Sequence, residues 1–223
     1  MNWILNYSRS SIGRKQIMAK TGLMLCGFLL VHLAGNFLLF VGPDAFNTYA
    51  YKLTSNKIIL YTAELALISI FFTHIALAIK LTLENRAARG GVRYAVNAQA
   101  GDMSIATKSM PFSGAWILIF LFMHLMNFKY GGAKEVLVDG VAMLDLYSIV
   151  AKHFANPIWS TYYILTMAIL GAHLHHGVQS VFQTFGFNHP RHNTIVKGIA
   201  TVYAVTIFIG FSSFPVYFLF YKG

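Results

Sequence analysis

Six of the nine histidines stand inside long apolar runs: His32, His74, His124, His173, His175 and His176. An imidazole among hydrocarbon is costly unless its ring nitrogens find partners, so recurrence on four successive runs asks for one explanation. A lone histidine of this kind is more often a hydrogen-bonded packing residue; four runs are harder to explain that way. Metal coordination through one nitrogen, with a hydrogen bond at the other, satisfies the whole ring. Two imidazoles at one height on different helices fill both axial positions of a haem iron, which favours electron transfer over oxygen binding. A closed zinc site would instead need about four ligands at one point.

The elements that must carry these rings are apolar runs near residues 21–41, 58–83, 111–128, 157–182 and 195–220. Each is about as long as a bilayer is thick, none alternates as a barrel strand would, and their Leu, Ala, Met and Phe content favours helix. The expected fold is an all-α membrane protein, one membrane-anchor domain over residues 1–223 with five transmembrane helices in a bundle. With 57% hydrophobic and 11% charged residues, the chain departs from soluble composition. Its one cysteine, Cys26, excludes an internal disulfide, a CxxCH haem attachment and an all-cysteine metal cluster within the chain. Turn-forming pairs lie between the runs at Gly42-Pro43, Gly90-Gly91, Gly131-Gly132, Asn156-Pro157 and His189-Pro190.

The net charge of +10 is spread between the runs rather than along one stripe, so it speaks for membrane orientation and against nucleic acid. Arg9, Arg14, Lys15, Lys20, Lys80, Arg86, Arg89, Arg93, Lys108, Arg191 and Lys197 fall on one side. Lys52, Lys57, Lys129, Lys134, Lys152 and Lys222 fall on the other. Eleven against six puts the N-terminus in the cytoplasm and the C-terminus outside. No long apolar stretch precedes the first run, so no cleavable signal is expected, and Trp3, Ile4, Leu5 and Tyr7 suit a short interfacial helix.

Counting inward from the cytoplasmic edge of each run at about 1.5 Å per residue puts His32 and His124 roughly 16 to 20 Å deep. His74 and His176 come out roughly 9 to 14 Å deep. Two levels suggest two stacked haems b, held without covalent attachment. Gly27, Gly35 and Gly171 leave room for a flat macrocycle. In GAHLHHGVQS, His173 and His176 share a helix face while His175 is rotated away, and depth leaves His173 and His176 both open as the ligand.

Together SSIGRKQIMAKTG, HLAGN with FNTYAYKL, His74 with ENRAARGG, His124 and HLHHGVQSVFQTFG resemble the di-haem, b558-type cytochrome b subunits of succinate dehydrogenases and fumarate reductases. The resemblance covers most of the chain. It implies that His74 and His176 bind the haem nearer the dehydrogenase and that His32 and His124 bind the distal one. It favours His176 because the family's ligand is followed by glycine, here Gly177, and leaves His173 as a polar packing residue or a candidate supporting residue beside the haem. It also implies flavoprotein and iron-sulfur partner subunits, menaquinone as substrate and a bacterial cytoplasmic (inner) membrane, and leaves a dimer of complexes open. The dicarboxylate chemistry would sit on the partners, and this chain would exchange electrons with quinone. Some members carry a glutamate two positions before the fourth-span ligand; Leu174 stands there in this chain.

Quinone reduction needs hydrogen-bonding groups near a haem and a path to water, and the outer candidates are Asp44, Asn47, Tyr51 and Glu64. Glu64 is the one carboxylate well inside a run, where it must be protonated, paired or wetted. Arg86, Arg89, Arg93, Lys108 and Arg191 give the inner side a basic face for the iron-sulfur subunit, propionates or anionic lipid. His189 and His192 read as loop residues. Two alternatives are a stand-alone transmembrane cytochrome of the b561 type and a transporter using the histidines for metal or protons.

Overall fold

The computed structural model describes residues 2–88 and 105–221. Arg89, Gly90, Gly91, Arg93 and Lys222 lie outside the described residues, as do the side chains of Ile4 and Lys108. The chain is mostly helical: α1 Asn2–Arg9, α2 Ser11–Asn36, α3 Leu38–Val41, α4 Pro43–Ser55, α5 Lys57–Ala88 and α6 Ile105–His124. A π-helical turn, Leu125–Lys129, continues α6, and α7 Leu146–Phe154, α8 Pro157–Thr184 and α9 Pro190–Phe220 follow. Each expected apolar run lies within a helical segment. Among the described residues four segments are long and apolar enough to cross a membrane: Ser11–Val41, Lys57–Ala88, Ser109–Lys129 and Pro190–Phe220. The remaining run forms α8, a 28-residue helix with a more polar, more buried surface that includes Ser160 and Thr166.

Local chemistry explains the helix ends. Ser10 caps α2 by accepting from the Gly13 amide at 3.0 Å, and Asn156 and His189 cap α8 and α9 just before Pro157 and Pro190. A Cβ at Gly13 would lie 1.9 Å from the Tyr7 carbonyl oxygen, so only glycine allows α1 to fold back so tightly against α2. Pro111 was expected at the start of the third run but lies inside α6, which begins six residues earlier.

The all-α expectation needs one correction. Between the third and fourth runs the chain forms an antiparallel hairpin, β1 Glu135–Val138 and β2 Val141–Leu144, with Val138 opposite Val141. Asp139 and Gly140 form its loop with φ of 50° and 77°, the left-handed pair that a two-residue hairpin turn requires. The sequence signal was Asp-Gly between alternating apolar residues.

The four helices carrying histidine in their apolar runs form a ring. Contacts pass from α2 to α5, from α5 to α6, from α6 to α8 and from α8 back to α2. α9 lies outside this ring, packed along α8 and touching α2. Leu33 approaches α9 where a Cβ on Gly210 would clash at 2.7 Å. Ion pairs tie the ring at both ends: Arg14 to Glu84 at 3.1 Å between α2 and α5, and Lys129 to Glu64 at 2.6 Å between the π turn and α5.

An outer layer covers one end. Asn47 of α4, only 2% exposed, donates to Asp145 Oδ1 at 3.0 Å and accepts from the Tyr147 amide at 3.0 Å. Asp145 also caps α7 through the Ser148 amide. Burial raises the Asp145 carboxyl, but hydrogen bonds from Ser148 and Asn47 and the charge of Lys152 outweigh it and hold it below its ordinary value. That stabilisation is complete above the ordinary carboxylate range and is lost as pH falls through the depressed value. Asn47→Leu strands two buried polar groups and should cost about 1–3 kcal/mol, measured by thermal unfolding in detergent. The penalty should shrink at strongly acid pH, where Asp145 is already protonated.

Candidate functional site

The histidines stand on the two diagonals of the helical ring. His32 of α2 and His124 of α6 meet across one diagonal, their ring centroids 5.9 Å apart and their planes at 87°. His32 is held by Asn36 one turn later, whose Nδ2 donates to the His32 carbonyl at 2.7 Å and lies 3.4 Å from His32 Nδ1. Phe28 stacks on one side at 5.4 Å and Phe211 of α9 sits at 5.6 Å. His124 Nδ1 is buried and, in the protein alone, without a hydrogen-bond partner.

The other diagonal joins α5 to α8. His74 Nδ1 lies 3.2 Å from Thr21 Oγ1, and its ring sits over Gly22, where a Cβ would be 3.3 Å away. His173 Nδ1 lies 2.9 Å from Ser113 Oγ on α6, and its ring sits over Gly114. In each ring a neighbouring hydroxyl engages Nδ1, and His74 has a further hydrogen bond to the Met18 backbone. His173 is within electrostatic range of both His74 and His176, whereas His176 neighbours His175. Among the described residues no ring contact joins His74 to His176. His175 is tied to Gln179, whose Nε2 lies 3.1 Å from His175 Nε2.

These contacts define two levels. His74 is level with Thr21, eleven residues before His32, and His173 is level with Ser113, eleven before His124, so the levels are roughly 16 Å apart. Counting from run edges gave a smaller separation because the edges are not level. The Arg14–Glu84 pair shows α2 continuing inward beside α5, so Thr21 faces His74 rather than the end of the second run.

The outer diagonal fits an ion held from both sides. A metal–nitrogen bond of about 2 Å on each side of one ion puts facing imidazole centres roughly 6 to 6.5 Å apart. The observed spacing is close to that, and the unpartnered His124 nitrogen identifies an imidazole whose needs the protein alone does not meet. Among the described residues no three His, Cys, Asp or Glu side chains converge on one point. Pairs on separate levels therefore describe the site better than a closed cluster does. Of the glycines expected to make room, Gly27 faces open space. Gly35 receives Tyr49, whose hydroxyl would be 2.5 Å from a Cβ there, and Gly171 packs on α9.

The outer polar candidates separate. Asp44 lines an open pocket with Ala45, Thr48, Tyr49, Lys52, Val138 and Asp139. Tyr51 is exposed and does not line that pocket. Asn47 is committed to Asp145 and Tyr147, and Glu64 is paired with Lys129. Sequence reasoning missed Thr21 and Ser113, because hydroxyls on other helices carry no signal in sequence spacing. It also missed His153, Asn127 and Tyr163 beside His124. Asn36 was visible as the polar residue four after His32.

No protein-family model matches the chain, and no curated protein or solved structure shows significant similarity to it.

The Glu64–Lys129 pair joins two half-exposed side chains, so Glu64→Gln should lower stability by less than about 1 kcal/mol. The loss should diminish in high salt, as detergent-phase melting curves would record.

Proposed function

We propose that this chain is the membrane-anchor cytochrome b subunit of a succinate:quinone oxidoreductase or quinol:fumarate reductase. In this reading the bundle crosses a bacterial cytoplasmic membrane five times, α8 being the fifth spanning helix, with the N-terminus inside and the C-terminus outside. The observation that carries it is the pair of histidine diagonals on two levels, with His32 and His124 at a spacing suited to one iron between them. The sequence resemblance in HLAGN and HLHHGVQSVFQTFG points the same way.

His32 and His124 would hold the outer haem b. His74 would hold the inner one with His176, the partner the resemblance implies. When bound, the two haems supply one-electron carriers in series between the faces of the membrane. The chain's own residues do the rest. Asn36 and Thr21 fix imidazole nitrogens of His32 and His74 and so orient those rings, as supporting hydrogen bonds to metal-bound histidines do, and Ser113 holds His173 in the same way. The basic residues Arg86 and Arg191 contribute to a docking face for the iron-sulfur subunit, and a flavoprotein carries the dicarboxylate reaction. The pocket at Asp44, Thr48, Tyr49 and Lys52 offers donors and acceptors for a menaquinone headgroup on the outer side, two residue positions from the candidate Tyr51.

A second assignment of the inner pair is favoured by one observation: His173, oriented by Ser113, is within electrostatic range of His74. On that assignment His176 is the supporting residue. The two assignments differ in outcome. His176→Ala should remove the inner haem and spare the outer under the first, and His173→Ala should do so under the second.

Reduced-minus-oxidised absorption spectra with haem and subunit stoichiometry of the purified complex test the whole proposal. About two haems b per copy, co-purifying with flavin and iron-sulfur subunits, are expected, and His32→Ala or His124→Ala should each remove the outer one. Two haems without soluble partners would indicate the b561-type alternative. A preparation with no haem would refute both and leave the transporter alternative.

A further inference from the structure

Beside the outer histidine pair lies a hydrogen-bonded group that the functional reading does not use. The π turn after His124 presents Asn127 to α7 and α8, and π turns of this kind are frequent at functional sites. Asn127 Nδ2 lies 3.3 Å from His153 Nε2 and 3.3 Å from the Tyr163 hydroxyl. His153 is half-buried on α7, packed on Trp159 at 4.7 Å, Phe128 at 5.1 Å and Tyr163 at 5.4 Å. Phe128 and Tyr163 in turn contact the His124 ring, at 5.2 and 6.2 Å. His153 is therefore separated from His124 by a single layer of aromatic side chains, while α7 belongs to the outer layer.

We infer that His153 takes up a proton from the outer aqueous phase when the outer haem gains an electron and releases it when the electron leaves. This rests on the proposed function. The electron comes from quinol or the inner carrier and reduces Fe(III) to Fe(II), and the proton comes from water outside, so net charge in the outer half of the bundle stays constant. A charge is stabilised across a thin apolar layer far more than in water, and that coupling links the two events.

Asn127 supplies the switch. An amide nitrogen has two hydrogens, so in the geometry observed Asn127 donates to both His153 Nε2 and the Tyr163 oxygen, and the neutral His153 carries its proton on Nδ1. Protonation of Nε2 reverses the demand. Rotation of the amide by half a turn then presents Oδ1, which accepts from both His153 and Tyr163. Burial holds His153 below the ordinary histidine value, which favours its neutral form, and a negative charge added nearby works in the opposite direction.

The other titratable groups around it are accounted for. Lys129 of the π turn is paired with Glu64, and Lys152 on α7 interacts with Asp145. Tyr162 and Tyr163 of α8 are neighbouring phenols, the second hydrogen-bonded to Asn127, and Tyr217 of α9 packs on Tyr147 through Phe218 rather than on His153. His124 is the proposed ligand.

The test is a potentiometric titration of both haems in the purified complex at several pH values, in the unsubstituted protein, His153→Gln and His153→Arg. The outer haem's midpoint should fall as pH rises in the unsubstituted protein. That slope should be lost in both variants, at a low potential for the uncharged Gln and a high one for the permanently charged Arg. The inner haem's midpoint should be unchanged, which reports an intact bundle. A full slope persisting in either variant with both haems present overturns this inference alone. Absence of an outer haem from the unsubstituted complex overturns the functional reading and this inference with it.

Discussion

An imidazole surrounded by apolar side chains must have its nitrogens satisfied, and much of this bundle is arranged around that demand. Asn36 serves His32, Thr21 serves His74 and Ser113 serves His173, each at Nδ1. To bring those hydroxyls within reach, α2 must lie close to α5 and α6 close to α8, and Gly22 and Gly114 remove the side chains that would keep the rings away. Of the four ring helices α8 is the least like a simple apolar span, since it carries three histidines and the buried Ser160 and Thr166, which bond to the Phe154 carbonyl and to Trp116.

Holding the rings at defined heights requires control of helix register as well as helix packing. Arg14–Glu84 and Lys129–Glu64 fix α5 at both ends, so α2, α5 and α6 cannot slide past one another without breaking an ion pair. The outer layer adds a second restraint, through Asn47 and Asp145, which lock α4 to α7. Because α7 also carries His153 against the π turn, the same layer that closes the bundle reaches the residues beside His124. Structure and proposed electron transfer thus share elements: the helix that seals the end also offers a titratable histidine one aromatic layer from the outer pair.

Much of the architecture was legible in the chain. Apolar length disclosed the long helices, and the pairs Asn156-Pro157 and His189-Pro190 fell at helix starts because an N-cap followed by proline suits the first turn. The hairpin escaped notice although Val-Asp-Gly-Val is a strong turn signal, because eight residues of strand are easily read as a connection between spans. Four outer polar candidates were close in depth, with Glu64 set apart as a carboxylate inside a run, and the fold then distinguished them: Asn47 ties helices together, Glu64 pairs with a lysine, Asp44 lines a pocket and Tyr51 is exposed.

By itself the sequence determined that long apolar helices carry histidines on four runs, since that follows from residue type and from the length of hydrocarbon to be spanned. Only the tertiary structure decided which rings face each other, that Ser113 orients His173, and that Asn127 and Tyr163 join His153 to the surroundings of His124. Those relations depend on helix order around the ring and on relative sliding of helices by a few residues. Both are set by contacts between residues far apart in the chain, to which the spacing along any one helix is blind.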